Sequence, residues 1–161
     1  MKLRDNNKGL SVIEVLFFIS IMAVALFAIS RLSAQYVSFS MGTAQHNMAV
    51  KIASEGIEAV RNLRDDSWSS NIASKSIGTA YYAIATSSAW TLASSDSGLI
   101  DGVFNRKIFF RTVYRDVNDD IASSGTADAN IRKVDSIVSW QDGIDTKTAT
   151  ISTYIANIWG N

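Results

Sequence analysis

Lys8-Gly9-Leu10-Ser11-Val12-Ile13-Glu14 opens a run that stays apolar to Ile29; from residue 8 to residue 30 it reads KGLSVIEVLFFISIMAVALFAIS. A helix needs about 20 apolar residues to cross a bilayer core of about 30 Å. Leu10 to Ile29 meets that length, with only Ser11, Glu14 and Ser20 as polar members. Glu14 is the anomaly. A carboxylate in a membrane helix costs on the order of 2.5–3.5 kcal/mol on insertion scales, so it calls for a partner. The positive end of the helix dipole favours an acid this close to the N-terminus. The nine residues before the run carry Lys2, Arg4 and Lys8 against Asp5. Positive flanks stay on the cytoplasmic side, which puts the C-terminal bulk outside a membrane crossed once.

The rest of the composition narrows the class. The 161 residues suit one globular domain plus an extension, and 47% apolar content is enough for both a span and a core. There is no Cys, so no disulfide and no thiolate metal site, and no Pro, so no turn is set by a proline ring. Acidic and basic residues balance at 15 each; without Met1 to Gly9, 12 basic and 14 acidic residues remain. No basic excess points to nucleic acid, and no nucleic-acid partner is expected.

The basic leader, Gly9, the apolar run and Glu14 resemble the N-terminal signature of type IV pilins and of their relatives, the pseudopilins of type II secretion. The resemblance implies cleavage by a prepilin peptidase between Gly9 and Leu10, and N-methylation of Leu10, which stands where the family usually has Phe. It implies that Glu14, fifth in the processed chain, pairs with the free α-amine of a neighbouring subunit during filament assembly. Two ions too costly to hold singly in lipid become tolerable together when their geometry is good. The implied partners are the peptidase, other pilin or pseudopilin subunits, an inner-membrane assembly platform and membrane lipid, with the protein ending in an extracytoplasmic filament. A secretory signal peptide is the ordinary alternative. Its apolar region is shorter, with a small-x-small site after it, whereas Ala23-Val24-Ala25 lies inside the run. A simple signal anchor is the other.

Beyond the run, the chain divides into a leader at 1–9, a transmembrane and assembly helix at 10–29, an amphipathic continuation at 30–66, and a sheet domain at 67–161. Met41, Ala44, Met48, Ile52, Ile57, Val60 and Leu63 recur at three- to five-residue steps, predicting a helix that lays this stripe on a soluble domain. Glu58 and Arg61 form its same-face charge pair. Many pilins break this helix with Pro near the position of Arg31; here Ser30, Ser33 or Gly42 would have to be the weak point. Asp65-Asp66-Ser67 and Ser69-Ser70-Asn71 offer the stop. Residues 67–102 read as a variable loop with short strands at 81–85 and 89–92 around Ser87-Ser88. Strands are predicted at 106–115, 131–140 and 147–155, with Asp142-Gly143 as the hairpin between the last two. The expected fold is α+β: a long N-terminal helix packed on a C-terminal antiparallel sheet, pilin-like. Val138-Ser139-Trp140-Gln141-Asp142 and the ending Tyr154-Ile155-Ala156-Asn157-Ile158-Trp159 resemble the C-termini of V-type minor pilins and I-type pseudopilins.

Few other residues suggest chemistry. Asp116, Asn118 and Asp120 have the D-x-N-x-D start of a calcium loop, and the resemblance allows calcium because some pseudopilins bind it. The turn Gly is replaced by Ile121 and the distal Glu by Ala127, so a solvated turn with Ser123-Ser124-Gly125 at its tip is the competing reading. His46 is the sole His and reads as a surface residue. Asp65 and Asp66 read as a helix-terminal turn. Trp68, Trp90, Trp140 and Trp159 read as core and edge packing, or as an adhesive patch. No nucleophile elbow, phosphate loop or metal-spaced cluster appears, so the expectation is a structural subunit without cofactor rather than an enzyme. A membrane-anchored adhesin or DNA-uptake subunit is the alternative.

Overall fold

The computed structural model describes residues 11–87 and 89–160. The first element is a helix of 55 residues, α1 (Val12–Asp66), followed by a one-turn π-helix at Ser69–Ala73. Six strands follow: β1 (Ala80–Ala85), β2 (Trp90–Ala93), β3 (Asn105–Arg115), β4 (Ile121–Ala122), β5 (Thr126–Asp142) and β6 (Asp145–Ala156). They form one sheet in the order β2-β1-β3-β5-β6, with β4 paired to β3 and every pairing antiparallel. This is the α+β arrangement expected. The strands predicted in the second half are β3, β5 and β6, β1 and β2 match the short strands predicted at 81–85 and 89–92, and the two-residue β4 is additional.

By its contacts the chain divides into two units, Met1–Thr43 and Ala44–Asn161. In the first, α1 is apolar all round and exposed all round: Phe17, Phe18, Met22, Val24, Leu26 and Phe27 are each more than half accessible. No window of this stretch is buried within the chain, and it is long and apolar enough to cross a membrane. A helix greasy on every side needs an apolar environment, either lipid or other helices. The helix continues unbroken through Ser30, Ser33 and Gly42.

In the second unit, α1 buries Ala49, Ile52, Ala53, Gly56, Ile57, Ala59, Val60 and Leu63. These recur at three- and four-residue steps and form one face. The predicted stripe holds from Ile52 onward, but Met41, Ala44 and Met48 are exposed. The face is instead completed by small residues, which let the helix sit close to the sheet. One cluster packs Ile57, Val60 and Leu63 with Trp68, Ile72, Tyr81, Ile108, Phe110, Val134 and Ile155. The other packs Ala49, Ile52 and Ala53 with Phe104, Val138, Trp140 and Ala149.

Strand alternation decides which side chains meet the helix. Arg106, Ile108 and Phe110 of β3 stand opposite Val138, Ser136 and Val134 of β5, and Ala149, Ile151 and Thr153 of β6 continue the rows. Lys107, Phe109 and Arg111 face the other way. The β5–β6 hairpin turns on Gly143 and Ile144 between the pair Asp142 and Asp145. Gly143 has φ 64° and Ile144 is not left-handed, the signature of a type II′ turn, so the Gly is required at the first of the two central positions. Between Thr112 and Val113 the register shifts, and residues 129–131 of β5 have no partner on β3.

Candidate functional site

The first unit holds the sequence-predicted assembly residue. Glu14 lies in the first turn of α1, where its backbone N–H bonds the Ser11 carbonyl at 3.0 Å. The Ser20 hydroxyl within the span is already satisfied: it donates to the Leu16 carbonyl at 2.7 Å. Ser30 does the same to Leu26 at 2.9 Å. Hydroxyls can repay their own burial within a helix in this way; a carboxylate four residues from the start of the run cannot. The next cation along α1 is Arg31, which lies over the Phe27 ring at 5.6 Å. At about 1.5 Å per helical residue, it is on the order of 25 Å from Glu14. Within the described residues, then, Glu14 is a charge without a counter-ion in an apolar segment. Gly9 and Leu10, the expected cleavage and methylation residues, lie outside the described residues.

The second unit is held by a buried cation that the sequence did not mark out. Arg106 is 5% exposed. Its guanidinium donates to the Ile52 carbonyl of α1 at 3.2 Å and to the Ala83 carbonyl of β1 at 2.9 Å. It also lies 3.4 Å from Glu55 and over the Trp90 ring at 5.5 Å. One side chain thus ties helix, central sheet and the β1–β2 hairpin. β1 pairs with β3 only through Ala80 and Tyr81, so the Ala83 carbonyl receives from Arg106 the bond that a strand would otherwise supply. The signal was present in the sequence, since Arg106 shares the parity of Ile108 and Phe110, but a strand-end arginine reads as exposed.

The calcium candidates occupy the loop between β3 and β4. Asp116 turns its carboxylate inward, accepting the backbone N–H of Asn118 at 2.8 Å and of Asp120 at 3.0 Å. Asp119 takes φ 68° to close the turn. Asp116 lines a shallow depression of about 690 Å³ with Arg115, Asp119, Asp128 and Asn157, whereas Asn118 and Asp120 do not line it. The Asp116 carboxylate is thus taken up by its own loop. Arg115 fills the acidic side: it bonds Asp128 at 2.7 Å and the Asp119 carbonyl at 2.5 Å. The Arg115 hydrogen bond, helped by the Asn130 N–H and opposed by burial, holds the Asp128 carboxyl below its ordinary pKa. Among the described residues, no group of three His, Cys, Asp or Glu side chains is placed to hold a metal.

The chain matches no protein-family model, no curated protein and no solved structure. His46 is exposed and its ring lies 6.1 Å from that of Trp140. Asp65 and Asp66 end α1, where Asn71 bonds both Asp66 and the Leu63 carbonyl. Trp68 and Trp140 are core residues and Trp90 packs at the core's margin, but Trp159 is 69% exposed. On the sheet's outer face, Asp135 joins Arg111 at 2.8 Å, Ser152 at 2.8 Å and Lys133 at 3.8 Å. Burial alone would raise the Asp135 pKa; the bonds from Arg111 and Ser152 and the nearby positive charges outweigh it, and the net shift is downward.

Proposed function

We propose that this protein is a structural subunit of the type IV pilin and pseudopilin kind, acting by assembly rather than catalysis. The observation that carries the reading is Glu14: a lone carboxylate at the start of an apolar helix, with no cation of the described chain in reach. Such a group is tolerated when a charge from elsewhere neutralises it. In this reading a prepilin peptidase cuts between Gly9 and Leu10, and the new α-amine of Leu10 on one subunit meets Glu14 of the next. The apolar helices then exchange lipid for one another. Because both surroundings are apolar, the exchange yields little hydrophobic energy, and close packing and the ion pair set the register. The C-terminal unit is carried on the outer side of the inner membrane and then on the filament.

The test is mass spectrometry of the chain extracted from membranes. A chain beginning at Leu10 and carrying one added methyl group is the expected product. A functioning protein that retains residues 1–9 rejects the reading.

A further inference from the structure

The end of α1, the π-helix after it and the β1–β2 hairpin border two neighbouring hollows that assembly through the apolar span does not use. One is about 570 Å³ and the other about 370 Å³, and Leu63, Asp66, Ala89 and Trp90 line both. Together they make one cleft of the size that small molecules occupy, about 300–1,000 Å³. Its floor is apolar: Leu63 is buried, and Trp90 and Leu92 are half-buried at the margin of the core. Its rim is polar, with Asn62, Asn71, Lys75, Thr86 and Thr91 beside Asp66.

That rim is built to accept hydrogen bonds. Asn62 turns its amide nitrogen to the Glu58 carbonyl at 3.1 Å, one turn back along α1. Asn71 turns its own to the Leu63 carbonyl at 3.0 Å and to the Asp66 carboxylate at 2.9 Å. Carbonyls and carboxylates only accept, so these bonds fix which end of each amide is the nitrogen. The two amide oxygens are left over, and neither accepts a hydrogen bond among the described residues. Nor does the Trp90 indole N–H donate one among them. An indole between an apolar body and a polar rim ordinarily finds an acceptor.

Charge decides which ligand suits these groups. Asp66 opposes an anion. A cation meets Lys75 on the rim and the Arg106 guanidinium, which already lies over the Trp90 ring at 5.5 Å. One acid and one ammonium on the rim leave no net field to draw in either sign. We propose that the cleft binds a neutral saccharide through one pyranose ring. A pyranose carries C–H groups on its flat faces, which meet Trp90 and Leu92, and hydroxyls around its rim. Each hydroxyl both donates and accepts. Asn62, Asn71 and Asp66 take the donated protons, and the Trp90 N–H is accepted in return. The site lies wholly within the C-terminal unit and stands whether or not the N-terminal helix assembles.

The experiment follows the indole N–H resonances of the full chain by NMR, in a detergent without a sugar headgroup, because an alkyl glycoside would compete. The chain has four Trp, and Trp90→Phe identifies the signal of Trp90. The probes are methyl β-glucopyranoside, methyl α-mannopyranoside and N-acetylglucosamine, with putrescine and inorganic phosphate as charged comparisons. At least one sugar is expected to shift the Trp90 signal saturably, with a Kd between about 0.1 and 10 mM, while the Trp140 and Trp159 signals stay in place. Asn62 and Asp66 are exposed, and Asn62→Ala and Asp66→Asn should each weaken that binding at least about tenfold. Unmoved backbone resonances of β5 and β6 show that the fold is intact in each variant. No saturable shift with any of the three sugars overturns the proposal, as does binding that both variants leave unchanged. Saturation by putrescine or phosphate at lower concentration than by any sugar overturns the assignment to a neutral ligand.

Discussion

Gly56 of α1 lies so close to Ser136 of β5 that a Cβ built on the glycine would fall 2.6 Å from the serine Oγ. The same atom would be 2.9 Å from Arg106 Cδ and 3.0 Å from Ile108 Cδ1. The helix crosses the sheet here with no room for a methyl group, directly beside the buried arginine.

Gly56→Ala is therefore expected to destabilise the fold by about 1–3 kcal/mol through overpacking, although Ala is the better helix former by ~1 kcal/mol. Gly42→Ala is the control: nothing lies within 4 Å of its added Cβ, and the substitution should stabilise the helix by up to ~1 kcal/mol. Urea unfolding of the two variants, followed by far-UV dichroism, should shift in opposite directions. Ser136→Ala added to Gly56→Ala removes one of the three close contacts and should recover part of the loss.

Removing the Arg106 guanidinium leaves the Ala83 carbonyl without its donor inside the core and frees the β1–β2 hairpin. Arg106→Met is expected to cost on the order of 2–4 kcal/mol, given about 1.5–3 kcal/mol for a hydrogen bond to a charged group. Arg106→Lys should recover little of it, because one ammonium cannot span two carbonyls on different elements in the planar geometry of a guanidinium. Amide exchange would localise the effect, with β1 and β2 losing protection before β5 and β6.

Asp135 gives the sheet a pH dependence of definite sign. Its carboxyl has a lower pKa in the folded chain than the ordinary 3.8. A depressed carboxylate contributes stability above the unfolded value, and that contribution is lost as pH falls through the folded value. Denaturant midpoints should thus fall on acidification from about pH 4 downward. Asp135→Asn should lower the midpoint at pH 7 and flatten that acid limb. A variant as sensitive to acid as the parent would show that other carboxylates account for it.

On the assembly proposed above, Glu14→Leu separates insertion from assembly. Replacing a carboxylate with Leu in an apolar helix favours membrane insertion by about 3 kcal/mol. The variant should stay in the membrane fraction yet fail to join filaments beside wild-type subunits, as read by co-sedimentation. Normal incorporation would remove Glu14 from the register mechanism.

Much of this architecture was legible in the chain. An uninterrupted apolar run needs no tertiary partner to become a helix, and the stretches 106–115 and 131–140, rich in β-branched and aromatic residues, read as strands although both faces of the first carry apolar residues. Glu14 stood out because a charge in that run has no ordinary explanation. The missed features share a cause. Ala49, Ala53, Gly56 and Ala59 carry no periodic apolar signal, yet they form the closest helix–sheet contact because they are small. Met41 and Met48 gave the stronger signal and remain exposed.

Sequence alone determined the local quantities: where the backbone coils or extends, that it turns within a residue of Asp142-Gly143, the structure centring the turn on Gly143-Ile144, and which segment is too apolar for water. Those depend on neighbours within a few residues. Only the tertiary structure decided that Arg106 is buried and that β6 is left with an unpaired edge. Each depends on which distant strand lies alongside, and that choice is made by packing summed over the whole domain.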